Sequence, residues 1–462
     1  MNLALPTSRR AAGRESASVL IVVLWICIGL VSITLYFANS MTYELQAADN
    51  RVNGLTADQA IEGAARYVSY ALSTYATNGA TPDNTQFSCA NVAIGGAHFW
   101  IIGRDPSGTP SSEPYFGLID EGSKLNLNRV GTNTLSYLPN MDNDYDLAQS
   151  IVDWRNTNGT PDLSYAQYGY TEKEAPFETV DELRLIDGMT IDLLDGDDLN
   201  RNGVLDANEK DVVGNGQVEP GLLEYLTVYS REPNYHSDGS LLTNVNVQAS
   251  TTGKEQLEQL FQNAGLSMGW ADNVYNNYEH PGGGTFTTLL QFYLYCNQKF
   301  GMTSSQFALI YDNITVTASV PGTYKRGRLN INTASADVMT ALFMGTGVDQ
   351  DTAESAAQSL VSYRDQNPGD INSVAWIVDA LGPTSPVVSA LKSRDVITTQ
   401  SYQFTADIAA VGPFGRGYER VKFIFDISEG FPKILYRQDL SRLGWALGKT
   451  VREETLAVNA TK

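Results

Sequence analysis

Histidine is scarce in this chain of 462 residues: only His98, His236 and His280 occur. Three scattered imidazoles give little basis for a catalytic triad or a histidine-rich metal centre. Cysteine is equally scarce. Cys27 falls inside an apolar run, so Cys89 and Cys296 are the only pair outside it. In an oxidising compartment these two could form one disulfide, and they fit equally well as two buried free thiols. Positive charge is short as well: 31 Lys and Arg stand against 52 Asp and Glu, a formal charge of −21. Such a balance repels nucleic acid and anionic headgroups and leaves many oxygens for cations, of which a hard ion such as calcium is the natural match. The sequence has no G-x-S-x-G elbow, no H-E-x-x-H pair and no phosphate loop, so no enzyme is expected. The 24 tyrosines are accounted for by rim and interface positions, where the ring packs and the hydroxyl stays wet.

What is present begins with "ESASVLIVVLWICIGLVSITLYFANSMTYEL", from Glu15. No charged residue occurs from Ser16 to Met41, and Val19 to Phe37 alone gives roughly 28 Å of helix, enough to cross a bilayer. A secretory signal would be shorter and end at a small-residue cleavage site, whereas this run continues into a helical pattern. Arg9, Arg10 and Arg14 precede it and acidic residues follow, which places the N-terminus in the cytoplasm and the bulk of the chain across the membrane. Beyond the run, Leu45, Ala48, Val52 and Leu55, then Ile61, Ala65, Val68, Leu72 and Tyr75, recur at three-to-four spacing. One helix from Ser18 to about Tyr75 is predicted, its first half in lipid and its second half on a protein surface.

Strand patterns follow at 97–103 and 115–120 and return only at 401–411, 420–427 and 431–437. The 280 or so residues between carry mostly helical signals. The predicted fold is α+β: a long N-terminal helix on a small antiparallel sheet (76–120 and 396–447), with a mostly α-helical domain (121–395) inserted between strands and a flexible tail (448–462). The inserted region has a degenerate repeat. "LNLN" at 125, "TNVN" at 243 and "LNIN" at 329 each put Asn-x-Asn ahead of a helix start, where Asn side chains are expected to cap free N–H groups. Two copies continue alike, as "AQSIVDWRN" then "FETVDELRLIDG", and "AQSLVSYRD" then "INSVAWIVDAL".

The run "SVLIVVLW", the junction "GLIDEGSKLNLN", the segment "IVDWRNTNG…PFETVDELRLIDG" and the later "LNINTASADVMTAL" together resemble the type II secretion system protein K family, the largest minor pseudopilin. The resemblance covers nearly the whole chain in matching order. It implies that the helix–sheet part is pilin-like and sits at the tip of a periplasmic pseudopilus, helping to start its assembly. Its partners would be two other minor pseudopilins, the major pseudopilin, a prepilin peptidase and an inner-membrane assembly platform, with no nucleic acid. It also implies a cytoplasmic leader, residues 1–17, cut between Ala17 and Ser18. The family's Gly is out of register here, and cleavage after Gly13 would leave Arg14 and Glu15 entering the membrane helix. On the Ala17 register the fifth mature residue is Val22, where most pilin-like subunits carry Glu to pair with a neighbour's amine, so Val22 suits a subunit with nothing above it. An uncleaved anchor, a pilus minor pilin and a DNA-uptake protein are the other readings. "LNINTASADVMTALFMGTGVDQDTAESAAQSLVSYRD" resembles a helix-hairpin-helix unit with Gly345 and Gly347 at the turn, but it has no cation before Arg364 and carries Asp337, Asp349, Asp351 and Glu354.

The sharpest local motif is "DLNRNGVLDANE". Asp198, Asn200 and Asn202 stand at positions 1, 3 and 5 of the calcium-loop template, with Gly203 at the turn, Asp206 at 9 and Glu209 at 12; Val204 would add its backbone carbonyl. Neither flank reads as a long helix, so an isolated structural loop for Ca2+ is expected rather than a paired sensor. A weaker second set is Asp153, Asn156, Asn158 and Asp162, where a hydrogen-bonded turn is the simpler reading.

Overall fold

The computed structural model describes residues 15–76, 79–106, 111–157, 163–246, 251–279 and 285–460. Helix α1 runs Glu15–Tyr75, 61 residues and about 90 Å. Its apolar N-terminal stretch is long enough to cross a membrane and is wholly exposed. Packing starts only near Asn53. Leu45, Val52 and Leu55, expected on the packed face, remain exposed, whereas Ala57, Ala60, Ile61, Ala64, Ala65, Val68 and Leu72 are buried. The small residues let the helix lie close on a sheet.

That sheet has six strands, β1 (Val92–Ile94), β2 (Ala97–Ile102), β3 (Ile119–Asp120), β4 (Gln403–Val411), β5 (Tyr418–Asp426) and β6 (Lys433–Asp439). The order is β1-β2-β4-β5-β6, with β3 also on β4, and every pairing is antiparallel. Asp120 pairs with Phe404, so the chain leaves the sheet and re-enters it on neighbouring strands. One face buries Phe99, Ile101, Phe404, Ile408, Phe423 and Phe425 under α1. The other face carries a small apolar cluster, Trp100, Ile102, Ala409, Val411, Ala446 and Leu447, beside polar and charged side chains.

The inserted region has its own core, from Leu125 to Ile397. It consists of three units, and the Asn-x-Asn stretches open each one as two-residue strands rather than as helix caps. Leu125–Asn126 pairs in parallel with Leu226–Thr227, Thr243–Asn244 with Ile314–Thr315, and Leu329–Asn330 with Ile397–Thr398. In every unit the first Asn side chain accepts from the backbone N–H of the second, at 2.9–3.0 Å. The second Asn then fastens a later segment: Asn128 donates to and accepts from the Phe177 backbone, Asn246 does the same with Phe286, and Asn332 donates to the Ile371 carbonyl. Helix caps fall to other residues, such as Ser335 and Thr288. The middle unit keeps the Asn device with little of the sequence between.

One further expectation is corrected, and of the two alternatives for the thiols the structure has the unbonded one. Residues 448–460 form a helix instead of a flexible tail, its start fixed by Thr450 on Glu113 and by Trp445, whose indole donates to the Gly448 carbonyl. Cys89 and Cys296 are both buried and unbonded because they belong to different cores, one under α1 and one inside the inserted region. Burial pushes the Cys89 thiol up to about 12 and raises Cys296 further.

Candidate functional site

The Asp198–Glu209 loop follows a five-residue helix, Ile191–Asp195, and leads into turns, so no long helix flanks it. Gly196 permits the entry: its φ is +64°, and its backbone bridges to Pro220. Asp198, Asn200 and Asn202 are buried, a placement polar side chains tolerate only when hydrogen-bonded. Asp198 accepts from the N–H of Asn202 at 2.9 Å and of Gly203 at 2.7 Å. Gly203 has φ +82°, the sharp turn assigned to it from sequence. Glu209 reaches back across the loop to accept from the Asn200 and Asp206 N–H groups, at 3.2 and 2.9 Å. Asp206 Oδ2 receives both Asn200 and Asn202 amides, at 2.6 and 3.0 Å. The side chains at positions 3, 5 and 9 thus bond one another directly, those at 1 and 12 close the loop on its own backbone, and Val204 is buried beside them.

Burial raises the Asp198 carboxyl despite Arg104 nearby, and burial with repulsion from Asp198 and Asp206 raises Glu209. A cation among these oxygens would oppose both effects. Among the described residues no three His, Cys, Asp or Glu side chains converge as an ion site. The loop's donor set is half Asn and backbone, and its carboxylates are turned onto loop amides.

Beyond these bonds, the loop backbone is fastened to the sheet by residues that no motif announces. Arg420 of β5 is 0% exposed; its guanidinium donates twice to Asp407 of β4, at 2.8 and 2.6 Å, and to the carbonyls of Asn200 and Arg201. Burial works against that positive charge, but Asp407 outweighs it and holds Arg420 above its ordinary range. Arg104 donates to the Arg201 carbonyl at 3.3 Å and pairs with Glu224 at 2.9 Å. Asn200 also donates to the Trp445 carbonyl at 3.1 Å.

In the weaker set, Asp153 accepts from Gln149 at 2.8 Å at the end of a helix and its carbonyl receives the Asn156 N–H, a local turn; Asn158 and Asp162 lie outside the described residues. Ala17 and Ser18 fall within α1, while Gly13 lies outside the described residues. The hairpin of residues 336–366 forms, with helices Ala336–Gly345 and Gln350–Gln366, but Arg364 is buried and donates to the Ile331, Ala334 and Pro106 carbonyls. It is not free for phosphate.

No protein-family model matches the chain, and no curated protein matches it either.

Proposed function

We propose that this chain is a noncatalytic minor pseudopilin of a type II secretion system, anchored in the inner membrane through α1 and capping the tip of a pilin-like filament. The carrying observation is the division of α1: an exposed apolar half long enough for a bilayer, continuous with a half that lies on an antiparallel sheet. One helix then serves as the membrane store before assembly and as the packing element afterwards. Partner minor pseudopilins would pack along it, after cleavage between Ala17 and Ser18 by the prepilin peptidase, and the platform would extrude the major pseudopilin beneath. The inserted region would block addition from above. In this reading Asp198, Asn200, Asn202, Asp206, Glu209 and the Val204 carbonyl hold Ca2+, whose charge would neutralise carboxylates that burial disfavours. The acidic balance and the inward turn of Arg364 favour this reading over a DNA receptor.

The test is removal of residues 121–395 from the full-length subunit, expressed with its partner pseudopilins. Filaments are expected to overrun their normal length. Filaments of unchanged length that still end at this subunit would sink the steric cap.

A further inference from the structure

We infer that Arg420, held by Asp407, is the positioning residue that couples cation binding in the Asp198–Glu209 loop to docking of the inserted region on the sheet. The inference rests on the calcium reading of that loop. One stretch of backbone serves two sets of ligands here. Inward, the side chains of Asn200 and Asn202 meet Asp206; outward, the carbonyls of Asn200 and Arg201 are taken by Arg420. A loop whose outward carbonyls are fixed holds the Asn200, Asn202 and Asp206 side chains close together in a preset arrangement, so less ordering remains to be done when an ion enters and the two Asn amides turn to it. Arg420 can do this because its planar fork reaches two carbonyls while keeping both bonds to Asp407; an ammonium has no such geometry.

The coupling runs in both directions. If the loop opens, Arg420 loses two acceptors in a place where it is 0% exposed, and the disturbance falls on β4 and β5 through Asp407. Binding free energies are reciprocal: whatever affinity the anchored loop gains for calcium, calcium returns as tighter docking. Arg104 adds a second, weaker hold at the Arg201 carbonyl, from a side chain 25% exposed.

The experiment uses the full chain in detergent micelles, titrated with Ca2+ by calorimetry, with hydrogen exchange followed at Tyr418–Arg420 and around Trp445. Arg420→Lys is expected to weaken calcium binding about tenfold, within the usual range of coupling between sites, and Arg104→Gln to weaken it less. In the wild type, calcium is expected to slow exchange around Arg420. Variants that melt at lower temperature but bind calcium with wild-type affinity would make Arg420 a strut only and overturn the inference, leaving the calcium reading intact. Wild-type protein that takes up no calcium at the loop would overturn both. Should Arg420→Lys fail to fold, Arg104→Gln carries the same comparison.

Discussion

Asp198 and Glu209 each close the loop on its own amides, and in the proposed calcium reading each would also ligate the ion, so replacing either would remove two roles at once. The combined Asp198→Ala and Glu209→Ala variant is expected to bind about one calcium ion fewer than the wild type and to melt several degrees lower with calcium present. With chelator the gap should narrow, since only the loop hydrogen bonds then distinguish the two proteins. Equal calcium content, measured by elemental analysis after dialysis, would mean that the loop is an acidic turn. These residues were legible in the sequence because all of them lie within twelve positions, and a template over that span needs no knowledge of the fold. Arg420 was not legible. Its loop partners are more than 200 residues away, and an Arg in a strand reads as a surface charge until Asp407 and the Asn200 carbonyl are seen beside it.

Among the elements, the turn between β4 and β5 depends most directly on two of its three glycines. Gly412 and Gly417 pass so close to α1 that a Cβ on Gly417 would lie 2.6 Å from the Asn53 carbonyl oxygen, and Gly417 has φ +74°. Gly417→Ala is therefore expected to cost more than the ~1 kcal/mol of a left-handed alanine alone, because the helix backbone cannot give way. Gly95 is a suitable control: its φ is +60°, and a Cβ there would meet nothing within 4 Å. Denaturant unfolding should rank Gly417→Ala as clearly less stable than Gly95→Ala; equal losses would remove the close-approach argument. The long strands and α1 were legible from periodicity, which reports burial of one face. The two-residue strands of the repeat were not, since their register rests on Asn side chains bonded to distant backbone. The same residues read locally as helix caps, the commoner use of Asn. The helix after Gly448 was missed for a similar reason: its start is held by Glu113, more than 300 residues earlier.

At the scale of the whole molecule, the two larger hydrophobic cores share no buried residue: one lies between α1 and the sheet, the other within the inserted region. Charged and polar groups join them. Arg231 pairs with Asp426, its backbone N–H donates to Gln403, Thr405 donates to Glu121, and Arg420 holds the loop. Separate apolar cores linked by ionic contacts favour unfolding in steps, because losing one core exposes little apolar surface of the other. Calorimetry of the full chain is therefore expected to resolve two transitions. The contacts at Arg420 and Asp198 belong to the junction, so under the proposed calcium reading chelation should lower the transition of the inserted region more than that of the helix–sheet core and spread the two apart. A single transition whose calorimetric and van't Hoff enthalpies agree would show that the ionic junction binds the cores into one cooperative unit. In that case the inserted region could not move independently of the sheet, and calcium at the loop would stabilise the entire molecule instead of the dock alone.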